Sequence, residues 1–349
     1  MPHWLQCWGG SGRVRSGFGL TRCAVQTGEE AAVENPEVSV VMSVYNGAGS
    51  LPATLQSVLS QQGCHFEFIV VNDGSSDESG RILGEWAARD ARLRVIHQAN
   101  TGLTRALIRG CSEARGEFIA RQDCGDVSLS GRLAAQVASL RAAPISVATS
   151  CHTRFIGPAN EWLYDQTIDE ATLNAGLIGE GGRFHGPSHH GSVMMRSKTY
   201  RDVGGYRDAF YFAQDLDLWT RLADMGRFCV VDECLYEAKL EPQSISGTQT
   251  AEQNGLAELI GLATVARRVG EPEVDFLQKA ANIQPVKRAG LQDRIARGNY
   301  FIGSCLAKRD PAAASTYFGR AVALRPAYLK AWFKLIACSV VARVSQRKR

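Results

Sequence analysis

Three groups of carboxylates in this 349-residue chain have types and spacings that could do chemistry. Asp73 closes an Asn-Asp-Gly turn after an apolar run, and Asp123 and Asp126 share one short turn. Asp215 and Asp217 lie further on, in Gln214-Asp215-Leu216-Asp217-Leu218-Trp219. A carboxylate at the tip of a buried strand is well placed to accept hydrogen bonds from a nucleoside. Two carboxylates in one turn can share a hard divalent cation, which prefers oxygen ligands. Such an ion would neutralise a diphosphate leaving group, and a separate carboxylate opposite could serve as a general base. Each group also has a plainer alternative. Asp73 could satisfy backbone amides of its own turn, and Asp215 and Asp217 could be first-turn acids favoured by a helix dipole.

Positioning these groups requires strands, and the sequence supplies them. Val38–Val44 is an apolar run of the kind buried on both faces of a parallel sheet. A helix is expected over 50–61, from Leu51, Leu55, Val58 and Leu59, and a second strand over 66–71. Ser75 with Glu78 reads as a capping box opening a helix that reaches about residue 89. A strand at 93–97, a helix at 103–114, a strand at 117–121, a helix near 132–141 and a short strand at 146–150 continue the alternation. Such alternation predicts right-handed βαβ units on a parallel sheet, with ligands at the carboxyl ends of the strands. The loops after Val44, Val71 and Arg121 are therefore the ones to watch.

The order of motifs resembles the family 2 glycosyltransferases over about residues 37–240. The segments that carry the likeness are Val38 to Asn46 (VSVVMSVYN), Phe66 to Ser75 (FEFIVVNDGS) and Gly116 to Asp123 (GEFIARQD). His190-Gly191-Ser192-Val193-Met194, Gly204-Gly205-Tyr206 and Asp215 follow in order. The resemblance implies an inverting, nucleotide-sugar-dependent enzyme of GT-A fold. That fold is α/β, with a Rossmann-like, mainly parallel sheet flanked by helices, here carrying a helical C-terminal extension. It further implies that Ser43, Tyr45 and Asp73 hold the donor's base and ribose. Asp123, which the likeness also sets at the donor nucleotide, and Asp126 would bring Mg2+ or Mn2+ to the diphosphate. Asp215 would deprotonate an acceptor hydroxyl, and His190 would line the acceptor side; a structural role is the alternative for His190, as for His189 beside it.

Two departures from the pattern stand out. The family's Asp-x-Asp turn here reads Asp123-Cys124-Gly125-Asp126, so the second carboxylate comes one residue late. Gln214 occupies the place where an acid commonly precedes the base, which removes a charge that would raise the base's pKa. A dinucleotide-binding reading of Gly47-Ala48-Gly49-Ser50-Leu51-Pro52 fails at its third glycine, which is Pro52. Nucleotidyl transfer lacks a basic, glycine-rich phosphate loop. A catalytically inactive GT-A-like scaffold acting through a helical basic tail is the alternative from another functional class.

Composition frames the rest. With 45% hydrophobic and 21% charged residues the chain is an ordinary globular one, which excludes wholesale disorder, collagen and coiled coil. Ten scattered cysteines without a CxxC read as small buried residues in a reducing cytoplasm, not as a zinc site or disulfide scaffold. Residues 1–36 are expected to be a disordered leader, 37–245 the transferase domain, and 246–349 a helical, basic region. Within that region Ala314, Phe318, Ala321 and Pro326 have tetratricopeptide-like spacing. Amphipathic helices packed on the main domain are the other reading of the same residues.

The net charge of +4 is uneven: residues 284–349 hold 14 Lys/Arg against Asp293 and Asp310, so +12, and the remainder carries −8. Lys330, Lys334, Arg343, Arg347, Lys348 and Arg349 accompany Leu329, Trp332, Phe333, Leu335, Ile336, Val340 and Val341. This pattern suggests peripheral contact with the inner face of the cytoplasmic membrane, where lipid-linked acceptors are built. It gives no platform for nucleic acid. The expected partners are a nucleotide-sugar donor and a glycan or lipid-linked acceptor, in surface polysaccharide biosynthesis.

Overall fold

A computed structural model describes residues 35–242, 251–283 and 290–346. The leader expected over 1–36 lies outside them, but for Asn35 and Pro36, and so do Arg347, Lys348 and Arg349. β1 (Val38–Val44), α1 (Leu51–Leu59), β2 (Phe66–Asp73), α2 (Ser79–Ala87), β3 (Leu93–Gln98), α3 (Leu103–Ser112) and β4 (Phe118–Arg121) alternate as the sequence requires. β1 runs between β2 and β4, with β3 outside β2, and all four are parallel. β1 shows why its run is mostly apolar: Val38, Val40 and Met42 pack with Leu51 and Leu55 of α1, while Val41 packs with Leu107 and Cys111 of α3. A strand covered on both faces cannot alternate with polar residues.

The second half is mixed. β5 (Val127–Ser128), α4 (Arg132–Ala142), β6 (Ser146–Ile156), β7 (Trp162–Gln166), α5 (Glu170–Ile178), β8 (Val193–Arg196), α6 (Ser197–Asp202), α7 (Gln214–Ala223) and β9 (Arg227–Lys239) follow. The sheet order is β3-β2-β1-β4-β8-β6-β9-β5, with β7 on β6. β8 is antiparallel to both β4 and β6, and β6 is parallel to β9. The strand expected over 146–150 continues to Ile156. Its polar continuation is buried, with Thr153 Oγ1 2.9 Å from Ser188 Oγ, and polar partners that are remote in sequence hid it.

The capping box expected at Ser75 and Glu78 does not form. α2 starts at Ser79, and Ser75 Oγ instead accepts from the Asn46 amide at 3.0 Å. Asn46 Oδ1 accepts in return from the Ser76 amide at 2.8 Å, and Asp77 accepts from the amides of Ala48 and Ser79. The local capping signal is spent on tying together the loops after β1 and β2.

α8 (Ala251–Arg268), α9 (Val274–Ala281), α10 (Leu291–Leu306), α11 (Pro311–Leu324) and α12 (Leu329–Gln346) form the C-terminal region. Phe210 packs with Leu256, Ile260 and Ala280 of α8 and α9. Ile302, Leu306, Ala314 and Phe318 of α10 and α11 share one core with Phe155, Leu235 and Tyr236 of β6 and β9. The tetratricopeptide-like residues Ala314, Phe318 and Ala321 are fully buried, the first two in the core shared with the sheet and Ala321 against Ala331 of α12. Among the described residues no helix is long and apolar enough to cross a membrane, and the eight described cysteines are free thiols.

Candidate active site

The acidic turn between β4 and β5 is held from three sides. Thr54 of α1 accepts from the Gly125 amide at 3.0 Å and donates to the Asp126 carbonyl at 2.9 Å. Arg121, the fully buried end of β4, sets its guanidinium 2.6 Å from Asp123 Oδ1. Tyr236 of β9 reaches across with its hydroxyl, which accepts from the Asp123 amide at 3.1 Å and donates to Asp126 Oδ2 at 2.9 Å. The amide of Lys239 donates to Asp126 Oδ1 at 3.0 Å. A Cβ on Gly191 would lie 2.0 Å from the Tyr236 hydroxyl, so this approach requires glycine there.

Burial opposes the charge of both acids, with opposite outcomes. At Asp123 the attraction of Arg121 outweighs burial and holds the carboxyl below its ordinary value of 3.8. At Asp126 burial and the neighbouring Asp123 charge push the carboxyl well above it. Two acids driven apart by their surroundings invite a cation that both can share. His189 completes the cluster: its Nδ1 lies 3.9 Å from Asp123 Oδ2 and its Nε2 3.8 Å from Asp126 Oδ2. The three ligand atoms lie within 4.8 Å of one another, the one group among the described residues with this potential. Its oxygen-rich donor set fits a hard divalent cation. His189 Nδ1 also accepts from the Gly191 amide at 3.0 Å and its ring stacks on Tyr236, so the oxygens of Asp123 and Asp126 are the readier donors. Gly125, where a second carboxylate is usual, has φ +104°, which a side-chain-bearing residue adopts only with strain.

Asp215 enters from α7. The preceding Ala213 sits at φ +55°, an uncommon conformation outside glycine that launches the helix. Burial raises the Asp215 carboxyl above 3.8, and the Asp123 charge adds to this. Asp215 is therefore raised even with Gln214, not an acid, before it. His190 Nε2 lies 2.6 Å from the Tyr206 hydroxyl and 3.2 Å from Arg121 Nε. Burial and Arg121 drive its pKa down to about 3, so it stands as a neutral acceptor.

The residues expected on the nucleotide side line the neighbouring strand ends. Ser43 pairs with Val71 across β1 and β2, and Tyr45 follows, more than half exposed. Asp73 is buried with both oxygens engaged. Oδ1 accepts from Gln98 Nε2, the Thr101 amide and Thr101 Oγ1, and Oδ2 accepts from the Gly102 amide at 2.9 Å. Asp73 thus shapes the start of α3, serving amides 28 and 29 residues on and not those of its own turn. Beside it a hollow is lined by Thr101, Gly102, Thr104, Arg105, Asp208 and Tyr211.

Sequence reasoning missed Arg121 and Tyr236. An arginine ending an otherwise apolar strand two residues before an acid was a usable signal for the first. Tyr236 lies 113 residues beyond Asp123 with no local mark.

The comparisons agree with this geometry. The profile of Glycosyl transferase family 2 matches residues 39–203. EpsE of Bacillus subtilis (strain 168), named as a glycosyltransferase, is 32% identical over 215 residues, covering 58% of this chain and 73% of EpsE. An uncharacterized glycosyltransferase of Haemophilus influenzae is 26% identical over 248 residues, 69% of this chain and 77% of the relative. Among solved structures, S. aureus TarS 1–349 in complex with UDP-GlcNAc superposes with a TM-score of 0.54 at 15% identity, over 89% of this chain and 92% of that one. The TarS likeness speaks to the fold alone, but the match to EpsE over most of its length speaks to descent. With strands, acidic turn and matched profile in register, the chain belongs to glycosyltransferase family 2 and is a glycosyltransferase.

Proposed function

We propose that the protein transfers a sugar, with inversion, from a nucleotide-sugar donor to a hydroxyl of a glycan or lipid-linked acceptor, in surface polysaccharide biosynthesis at the cytoplasmic side of the membrane. The observation that carries this reading is Asp215, a carboxylate raised by burial and electrostatically coupled to the acidic turn. Asp215 takes the proton of the acceptor hydroxyl as its oxygen attacks the anomeric carbon from the face opposite the diphosphate. The bond from that carbon to the diphosphate oxygen breaks, the nucleoside diphosphate leaves, and the configuration inverts. Mg2+ or Mn2+ held by Asp123 and Asp126 would neutralise the leaving diphosphate. Ser43, Tyr45 and the loop shaped by Asp73 hold the base and ribose. His190, neutral and tied to Tyr206, borders the acceptor side. Residues 37–245 form the catalytic part and 246–349 a helical extension. The UDP-GlcNAc complex of TarS supports the donor class. An inactive scaffold is disfavoured, because the acidic turn and the unpaired base occur together.

A thermal-shift panel of UDP, GDP, CMP and dTDP and their common sugars, with and without Mn2+, tests the reading. A nucleotide at about 100 times its dissociation constant stabilises the fold by about 2.7 kcal/mol. A shift with one nucleotide that grows with Mn2+ is expected; no shift with any would overturn it.

A further inference from the structure

α12 carries two apolar faces on opposite sides. Ala331 and Cys338 are buried and Leu335 packs beside them against the core of the C-terminal helices. Leu329 (68% exposed), Trp332 (42%), Phe333 (75%), Ile336 (59%) and Val340 (56%) form the other stripe. At about 100° per residue these five fall within an arc of about 100°, opposite Ala331, Leu335 and Cys338. The Trp332 indole is held by donating to the Pro326 carbonyl at 2.9 Å. From Leu329 onward the sequence has no acidic residue, and Lys330 and Lys334 follow on one side of the stripe, about 60° and 100° round the helix from Phe333.

We propose that this face of α12 docks on an anionic lipid bilayer, the helix lying in the plane of the interface. Large apolar side chains with an aromatic pair, with lysines on one side and free of acids, match the interfacial helix. Charge selects the occupant. Residues 284–349 carry +12, so an anionic leaflet attracts this end of the molecule. A second copy meeting the same face would bring like charge against like, and a nucleic acid would leave the apolar stripe in water. The surface lies outside the acidic turn and Asp215, so docking and transfer are separate properties.

Flotation of the full chain with vesicles of phosphatidylglycerol and phosphatidylcholine, against phosphatidylcholine alone, tests the proposal. The wild-type chain floats with the anionic vesicles at low salt, and less so at high salt. Phe333→Glu combined with Ile336→Glu lowers partitioning by about tenfold or more. Both side chains are exposed, so the variant unfolds at the wild-type temperature. Lys330→Gln with Lys334→Gln lowers partitioning on anionic vesicles only. A wild-type chain that stays unbound at low salt, or a Phe333→Glu/Ile336→Glu variant that floats like wild type, overturns the proposal. Sedimentation without lipid covers self-association: a dimer that the same double variant abolishes, without flotation of the wild type, assigns the face to a second copy instead. These readouts report lipid binding alone, so their failure leaves the transferase reading standing.

Discussion

Asp215 and Asp217 stand two residues apart in the first turn of α7 and meet opposite surroundings. Asp217 is 1% exposed and clasped by Arg207 and Arg221, with Arg207 also paired to Glu273. Among the described residues Asp215 accepts one hydrogen bond, from the Leu216 amide at 2.9 Å. Residues two apart on a helix point about 200° from one another, so one acid locks α7 onto its supports while the other keeps only the bond from its neighbouring amide.

Asp215→Asn is therefore expected to lower kcat by about 100-fold or more, the scale of a lost general base, with the donor-induced thermal shift intact. Asp217→Asn should instead cost about 3 kcal/mol of stability, by stranding two guanidinium groups. In the wild type, kcat should fall with falling pH through a value above 3.8, because burial raises the Asp215 carboxyl and only the ionised form accepts a proton. Wild-type turnover in Asp215→Asn would remove it from the base's role.

Replacing Asp123 or Asp126 by Ala should abolish the Mn2+-dependent part of the nucleotide thermal shift while leaving the metal-independent part. Restoring a second carboxylate with Gly125→Asp should not strengthen metal binding. Its φ of +104° makes the substitution cost about 1–3 kcal/mol, visible as a lower Tm. A variant with higher Tm and tighter Mn2+ binding would contradict this account of the turn.

Tyr236→Phe removes the hydroxyl that links the Asp123 amide to the Asp126 carboxylate. The loss of a buried bridge should cost about 1–3 kcal/mol and weaken Mn2+ titrated in the presence of nucleotide. The acid limb of kcat should not move, because Asp215 keeps its surroundings. A variant with wild-type Mn2+ affinity would show that Tyr236 supports the fold but not the turn.

Glu67, buried on β2, accepts from Ser39, Arg94 and Arg115. Burial works against its charge, but these bonds outweigh it and bring its pKa from 4.5 down to about 2. A lowered carboxyl stabilises the fold above its unfolded pKa. About 3 kcal/mol should thus be lost as pH falls from 4.5 toward 2. Urea unfolding across this range checks it: the wild type shows the slope, and Glu67→Gln, less stable at neutral pH, lacks this part of it.

The sequence by itself determined the elements whose information is local. β1 and β2 are legible because burial on both faces favours largely apolar runs, and the acids at the end of β2 and after β4 follow from where those runs end. The ordered motifs around Asp73, Asp123 and Asp215 carried the family likeness. What only the tertiary structure decided depends on contacts between residues far apart in the chain. The polar half of β6 is a strand because Thr153 finds Ser188. Ser75 serves Asn46 and not its own helix, and Asp73 spends its oxygens on the loop before α3. Asp217 is structural because Arg207, itself held by Glu273, reaches it from outside α7. Tyr236, from the far side of the sheet, makes a single unit of Asp123 and Asp126. A side chain's type limits which bonds it can make, but which one it makes depends on the partner that folding brings within about 3 Å.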